Sequence, residues 1–403
     1  MPIFSEIGTL KCVLLHEPVH TLSKLTPDNC QALLFDDVLW VERAVEEHRK
    51  FAEVLRQHGA EVLLVSDLLE TILTNDQARR WLLAERLART YYHSAFRDDL
   101  FAFLYAQPSN MLVQYLTGGL TRQAFASDSD SLVAQLLDAH DFILPPLPNH
   151  LFTRDTSCWI GHGITINAMR FPARTAEALN ISAIYRFHPI FQQIKPPIWY
   201  DDSEDRLPLP SLEGGDVMVL NEQTVIIGLS QRTSAQAVEV LAKQLFKGSH
   251  FNQVIAVDIP KKRAAMHLDT LLTMVDHATF CTAIPLSQLR AWSIEKTNGQ
   301  GRFQVTALPS LEQALQNALS AGQVDCITLP GDFFAQQRAQ WNDASNVLAV
   351  SPCKVIAYQR NVEINQALRA HGIDVIEIDG AELGRGRGGA RCMSCPIDRE
   401  TIA

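Results

Sequence analysis

Residues 385–397 of this 403-residue sequence read RGRGGARCMSCPI, which places Cys392 and Cys395 just behind a run of glycines and arginines. Such a stretch has four chemical readings: half of a zinc knuckle, a redox dithiol, an RGG-like nucleic-acid segment, or a loop that presents one nucleophilic thiol. A closed zinc site takes four ligands, and no second C-x-x-C occurs in the chain. A thioredoxin-type dithiol opens a helix after an N-terminal strand, which is not the setting here. RGG-like disorder conflicts with the apolar strand signal of DVIEID just upstream and with a net charge of −10. The single nucleophile survives, and a nucleophile needs partners.

Four other segments set charge beside an apolar strand or a glycine turn. LFTRDTSCWIG holds Arg154 and Asp155 directly before a strand. LEGGDVMVL holds Glu213 and Asp216 about a Gly-Gly turn entering a hairpin. MHLDTLLTMVD alternates His267 and Asp269, which in a strand would share one face. GLSQRTS ends a strand with Arg232 just ahead of a helix. Each residue alone has a plainer reading. An acid at a strand end is usually a solvated turn residue, Asp216 suits a cap, and a lone histidine is more often a hydrogen-bonded imidazole than a catalyst. Together they make a set: thiol, imidazole, carboxylates and arginines, all at strand ends or glycine turns.

The elements that must position this set repeat along the chain. KCVLLH, then VERAVEEHRKFAEVLRQHG, then AEVLLVSDLL forms one copy. QTVIIGLSQRTSAQAVEVLAKQLF with NQVIAVDIP forms another, CKVIAYQRNVEINQALRAHG with IDVIEIDG a third, and GITINAMRFPARTAEALN a less regular fourth. Each is an apolar strand, a polar turn, an amphipathic helix and a second apolar strand. The extra hairpin strand in GDVMVLNEQTVIIG turns the unit into β-β-α-β. Such repeats suggest a pseudo-symmetric ring rather than a doubly wound sheet. Residues 70–140 break the pattern with helix-periodic stretches and read as an inserted helical domain, leaving 1–69 and 141–403 as the α/β body.

Composition bounds the function classes. An apolar content of 47% over 403 residues supports one large core or two ordinary domains. The negative balance opposes nucleic acid or an anionic membrane as partner. No apolar run is long enough to span a bilayer and the first residues do not read as a signal peptide, so a soluble, cytoplasmic chain is expected. Most of the eight cysteines lie in apolar runs and read as small core residues in a reducing compartment.

FTRD, EGGDV, HLDT, GLSQRTS and the terminal RCMSCP occur in the order and spacing of the arginine deiminases, within the guanidine-modifying superfamily. The sequence resembles that family from SEIGTLKCVLLHEP to the tail. HEPVH stands where a His-Arg-Pro-Gly type turn is more usual, and Cys395 where relatives carry methionine or cysteine. The resemblance implies a five-bladed α/β propeller of β-β-α-β units with a helical insertion. It also implies hydrolysis of L-arginine to citrulline and ammonia with no metal or organic cofactor, by a homo-oligomer (dimer or tetramer). By the same resemblance Cys392 is the nucleophile, His267 the acid and base, and Glu213 its orienting partner. Asp155 and Asp269 grip the guanidinium, Phe152 lines the substrate, and Arg174, Arg232 and Arg387 take the α-carboxylate. Rival expectations are an amidinotransferase, a dimethylarginine or agmatine hydrolase, and a non-catalytic C-x-x-C redox or binding module.

Overall fold

The computed structural model describes residues 1–126, 131–201, 209–298 and 302–402. Its α/β body contains five sheets built on one strand order. In each, a middle strand pairs antiparallel with one neighbour and parallel with the other, and a helix connects the parallel pair. The middle strands are Leu10–Leu15, Gly163–Ile166, Thr224–Leu229, Thr279–Thr282 and Lys354–Tyr358. A parallel pair cannot be joined by a tight turn, so a crossover helix follows from the pairing itself. The helices are Val41–Gln57, Thr175–Phe187, Ala235–Gly248, Leu311–Ala318 and Val362–Ala370. Two further strands, Arg290–Lys296 and Phe303–Leu308, extend the third sheet to five.

The first sheet joins the two ends of the sequence. Cys395–Arg399 lies antiparallel to Leu10–Leu15, whose other edge carries Glu61–Leu64. The segment behind Cys392 is thus a buried strand rather than a frayed end. The first helix shows why the unit folds this way. Ala44, Val45, His48, Phe51, Ala52 and Leu55 fall on one face and are buried. Burying Phe51 and Leu55 contributes roughly 1.5–3 kcal/mol each. The third unit's helix has Ser234 at its start, whose hydroxyl accepts from Ala237 N.

Sequence and structure part in a few places. AEVLLVSDLL is strand only over Glu61–Leu64; Val65–Leu73 is already helix. Helices Asp76–Ala88, Ser94–Tyr105 and Ser109–Gly118 follow, then a two-residue strand, Leu120–Thr121, pairs with Phe142–Leu144. Residues 127–130 of the helix-periodic stretch lie outside the described residues. Cys326 and Cys353 are exposed rather than core residues. No helix among the described residues is long and apolar enough to cross a membrane.

Candidate active site

Three turns bring the charged groups together, and close backbone approach is what lets them meet. Asp155 follows a 3-10 turn, Pro148–Leu151, and precedes the strand Ser157–Ile160. The Thr153 hydroxyl ties this turn to Leu14 O and Met393 O, while Arg154 N donates to Cys392 O. The Glu213 turn packs against it through Gly214 N donating to Asp155 O. A Cβ on Gly215 would lie 2.6 Å from His267 Nδ1, so Gly215 admits the imidazole, while a Cβ on Gly214 would lie 2.0 Å from Arg154 O.

His267 and Asp269 do not lie in a strand as the alternation suggested. Leu268–Thr270 is a single 3-10 turn, and the strand begins only at Leu272. Asp216 fixes this turn by accepting from Leu268 N at 2.9 Å and from the Ser230 hydroxyl at 2.7 Å. The spacing of His267 and Asp269 belongs to this buried turn and not to a strand face.

Within the site, His267 Nε2 lies 2.8 Å from Glu213 Oε2 and Nδ1 lies 3.6 Å from Asp155 Oδ1. Burial works against a charged imidazole here, yet Asp155, Glu213 and Asp216 overcome it and raise His267 to about 9. His267 therefore stands as imidazolium at neutral pH. Cys392 Sγ sits 3.5 and 3.7 Å from the two oxygens of Asp269. Burial, then Asp269, Asp155 and Asp343, push its thiol well above the ordinary range, against a smaller opposing pull from Arg391. The free site holds a neutral thiol beside a protonated histidine.

Each of the two aspartates spends one oxygen on a neighbouring arginine and leaves the other off it. Arg174 Nη1 donates to Asp155 Oδ2 at 2.6 Å, while buried Asp155 Oδ1 has no hydrogen-bond partner. Arg391 Nη1 donates to Asp269 Oδ2 at 2.8 Å, while Oδ1 receives only the thiol. Asp155 Oδ1 is thus without a hydrogen-bond partner, and Asp269 Oδ1 meets only the thiol. Arg232 Nη1 pairs with Glu213 Oε2 at 3.1 Å and lies over the Phe171 ring. Arg174 also binds Glu177 and the Asn149 carbonyl. Arg387 stacks on Trp341 at the edge of the site.

All the sequence-selected residues meet here, Phe152 included. Phe152, Asp155, Arg174, Arg232, His267, Arg387 and Cys392 line one cavity with Leu34, Asn149, Arg263 and Met266, and Glu213 and Asp269 reach it through the contacts above. The space left free is about 10 Å³, roughly what one water needs, so a substrate requires side chains to move apart. Larger clefts of about 410 and 470 Å³ elsewhere contain none of these residues. Asp155, Glu213 and His267 are also the one group among the described residues spaced to hold a metal ion.

Sequence reasoning passed over several members. Arg391, next to the thiol, bridges Asp269, Glu6 Oε2 at 3.0 Å and Val217 O at 2.8 Å. Asn346 Oδ1 accepts from Cys392 N at 3.0 Å, and its Nδ2 donates to Asp269 O at 3.0 Å, locking nucleophile and carboxylate together. Asn149, Asp343 and Trp341 were also missed. Only Arg391 had a signal, its adjacency to the cysteine; the others come from stretches with no distinguishing pattern.

Solved structures with this chain path include a dimethylarginine dimethylaminohydrolase from Pseudomonas aeruginosa complexed with citrulline, at 15% identity and a TM-score of 0.53. It covers 96% of this chain and 100% of its own. SxtG, an amidinotransferase from Microseira wollei in the saxitoxin biosynthetic pathway, aligns at 13% identity and 0.55, over 100% of this chain and 98% of its own. The N-terminal domain of ArgZ, a cyanobacterial arginine dihydrolase bound to substrate, aligns at 12% and 0.55, over 97% and 99%. At such identities the likeness is one of fold. A sequence model described as arginine deiminase matches residues 31–399, a span that takes in every site residue above except Glu6. On that match, the chain belongs to the arginine deiminase family.

Proposed function

We propose that this protein hydrolyses L-arginine to L-citrulline and ammonia. The observation that carries the reading is the pair of unspent carboxylate oxygens, Asp155 Oδ1 and Asp269 Oδ1, beside the Cys392 sulfur and the His267 imidazolium. A guanidinium is a delocalised cation with a poorly electrophilic carbon. Two carboxylates gripping its nitrogens localise the charge and hold the carbon in line with the thiol. Arg174, Arg232 and Arg387 suit the far, α-carboxylate end, since forked donors match a carboxylate.

In the first half-reaction the Cys392 sulfur bonds to the guanidinium carbon and one C–N bond breaks. The imidazolium proton of His267 and the thiol proton, which faces Asp269, both pass to the leaving nitrogen; ammonium departs, His267 is left neutral and a cationic thiouronium remains. In the second half a water, deprotonated by neutral His267, attacks the same carbon. The S–C bond breaks, citrulline forms, water's second proton goes to the sulfur to restore the thiol, and His267 is an imidazolium again. Placing the cationic substrate beside the sulfur lowers the cost of forming thiolate by direct Coulomb attraction.

We read the five sheets as the blades of a five-bladed propeller, with Cys395–Arg399 and Leu10–Leu15 completing the first blade, and residues 70–140 as its helical insertion. The repeated strand order and the helices that follow Glu61–Leu64 support this. The test of function is colorimetric citrulline formation from arginine in the presence of a strong chelator. Cys392→Ala should abolish it, while Cys395→Ser retains most of it. Equal loss from both substitutions would favour a dithiol mechanism and defeat the assignment.

A further inference from the structure

Arg387 is held in an unusual way. Its Cζ lies 3.7 Å from the centroid of the Trp341 ring, and its Nε lies 3.8 Å from Asp343 Oδ2. Both side chains are buried, yet none of the three guanidinium nitrogens and neither Asp343 oxygen has a hydrogen-bond partner. Both backbones are left-handed, with φ of 64° at Arg387 and 54° at Asp343. Non-glycine residues adopt this conformation rarely, and such strain gathers at functional sites. Trp341 and Asp343 belong to one turn at the end of the helix Phe333–Trp341, so one short stretch supplies both a stacking face and a counter-ion.

We propose that Asp343 is a positioning residue which, with Trp341, holds Arg387 facing the site with its donors unspent, ready for the carboxylate of an amino-acid substrate. This rests on the reading of Arg387 given above. A carboxylate at hydrogen-bonding distance would occupy the fork and compete with substrate. With no carboxylate nearby, a buried cation would be uncompensated and would turn elsewhere. An anion at ion-pair distance without a hydrogen bond avoids both.

The charged and titratable groups around Asp343 are Arg387, Arg263, Arg360 and Asp269, with Tyr358 and Cys392. Burial, only partly offset by Arg387, brings Asp343 to about 7. Its charge, and with it the positioning, develops as pH rises through neutrality. The experiment is steady-state kinetics on L-arginine with the wild-type chain and Asp343→Asn from about pH 6 to about 8. Asparagine tolerates the left-handed backbone, so the turn survives the change. The wild-type KM should fall as pH rises; in D343N it should be about tenfold higher at the alkaline end and independent of pH, with kcat changed less than about twofold, the signature of lost uniform binding. An equal or lower KM in D343N overturns the inference, and so does a pH-independent wild-type KM should the variant not fold. Wild-type protein that forms no citrulline would overturn the functional reading as well, whereas activity with an unchanged D343N KM strikes this inference alone.

Discussion

Replacing Glu213 by Gln removes one negative charge from His267 while keeping a carbonyl oxygen where Oε2 now meets Nε2 at 2.8 Å. The rise of His267 from 6.5 to about 9 corresponds to roughly 3 kcal/mol, at about 1.4 kcal/mol per pH unit. A hydrogen bond to a charged partner contributes about 1.5–3 kcal/mol. E213Q should therefore lower the His267 midpoint by roughly one to two pH units, leaving the rest to Asp155, 3.6 Å from Nδ1, and to Asp216. The assay is proton NMR of the His267 ring, assigned by loss of its resonance in H267Q, across the neutral and alkaline range. Kinetics should agree. At pH 8 a midpoint near 9 leaves about 90% of His267 as imidazolium, against roughly 10–50% in the variant, so E213Q should recover relative activity as pH falls towards 6. Stability has a sign of its own. A folded-state value raised above 6.5 gives stabilisation that is fully present below 6.5 and lost as pH rises through about 9. In E213Q that loss should be smaller and complete at lower pH. A wild-type His267 that titrates near 6.5, or an E213Q midpoint that does not move, would refute the view that Glu213 keeps the proton on the imidazole.

Three more outcomes are expected. Iodoacetamide should alkylate Cys392 slowly at neutral pH, with a rate still climbing beyond the ordinary thiol range, because burial and Asp269 hold the proton on sulfur; mass spectrometry showing a plateau below that range would contradict this. Gly389→Ala should cost about 1–3 kcal/mol and most of the activity, since its Cβ would lie 2.3 Å from Asn346 O and disturb the amide that holds Cys392; a melting temperature and kcat near wild type would count against the tight Cys392 loop. Buried His48 and His150, each lowered to about 3 mainly by desolvation, take up protons only on unfolding. Stability should therefore drop as pH falls below 6.5 towards 3, and denaturant melts of H48Q should show a shallower acid loss than wild type.

Residue types and order marked out Cys392, His267, Asp155, Asp269, Glu213, Arg232 and Arg387, which stand in short motifs whose polarity is out of place beside apolar strands, whereas Arg174 and the role of each residue came only with the family resemblance. The strand–helix periodicity of four units was legible because each buries one face. What the sequence did not contain was the pairing. Cys395–Arg399 finds Leu10–Leu15 across nearly the whole length of the sequence, and no local pattern specifies that partner. The same holds for the supporting residues: Glu6, Asn149, Asp343 and Asn346 are unremarkable in their own stretches and matter only for what lies opposite them. The alternation of His267 and Asp269 implied a strand, but two polar residues two apart fit a buried 3-10 turn as well, and the sequence does not separate the two. Ionisation was decided last. Three carboxylates and four arginines near one thiol could tip its proton either way. Only distance and desolvation, with Asp269 at 3.5 Å from the sulfur and Arg391 committed to Asp269 and Glu6, settle it in favour of the neutral thiol.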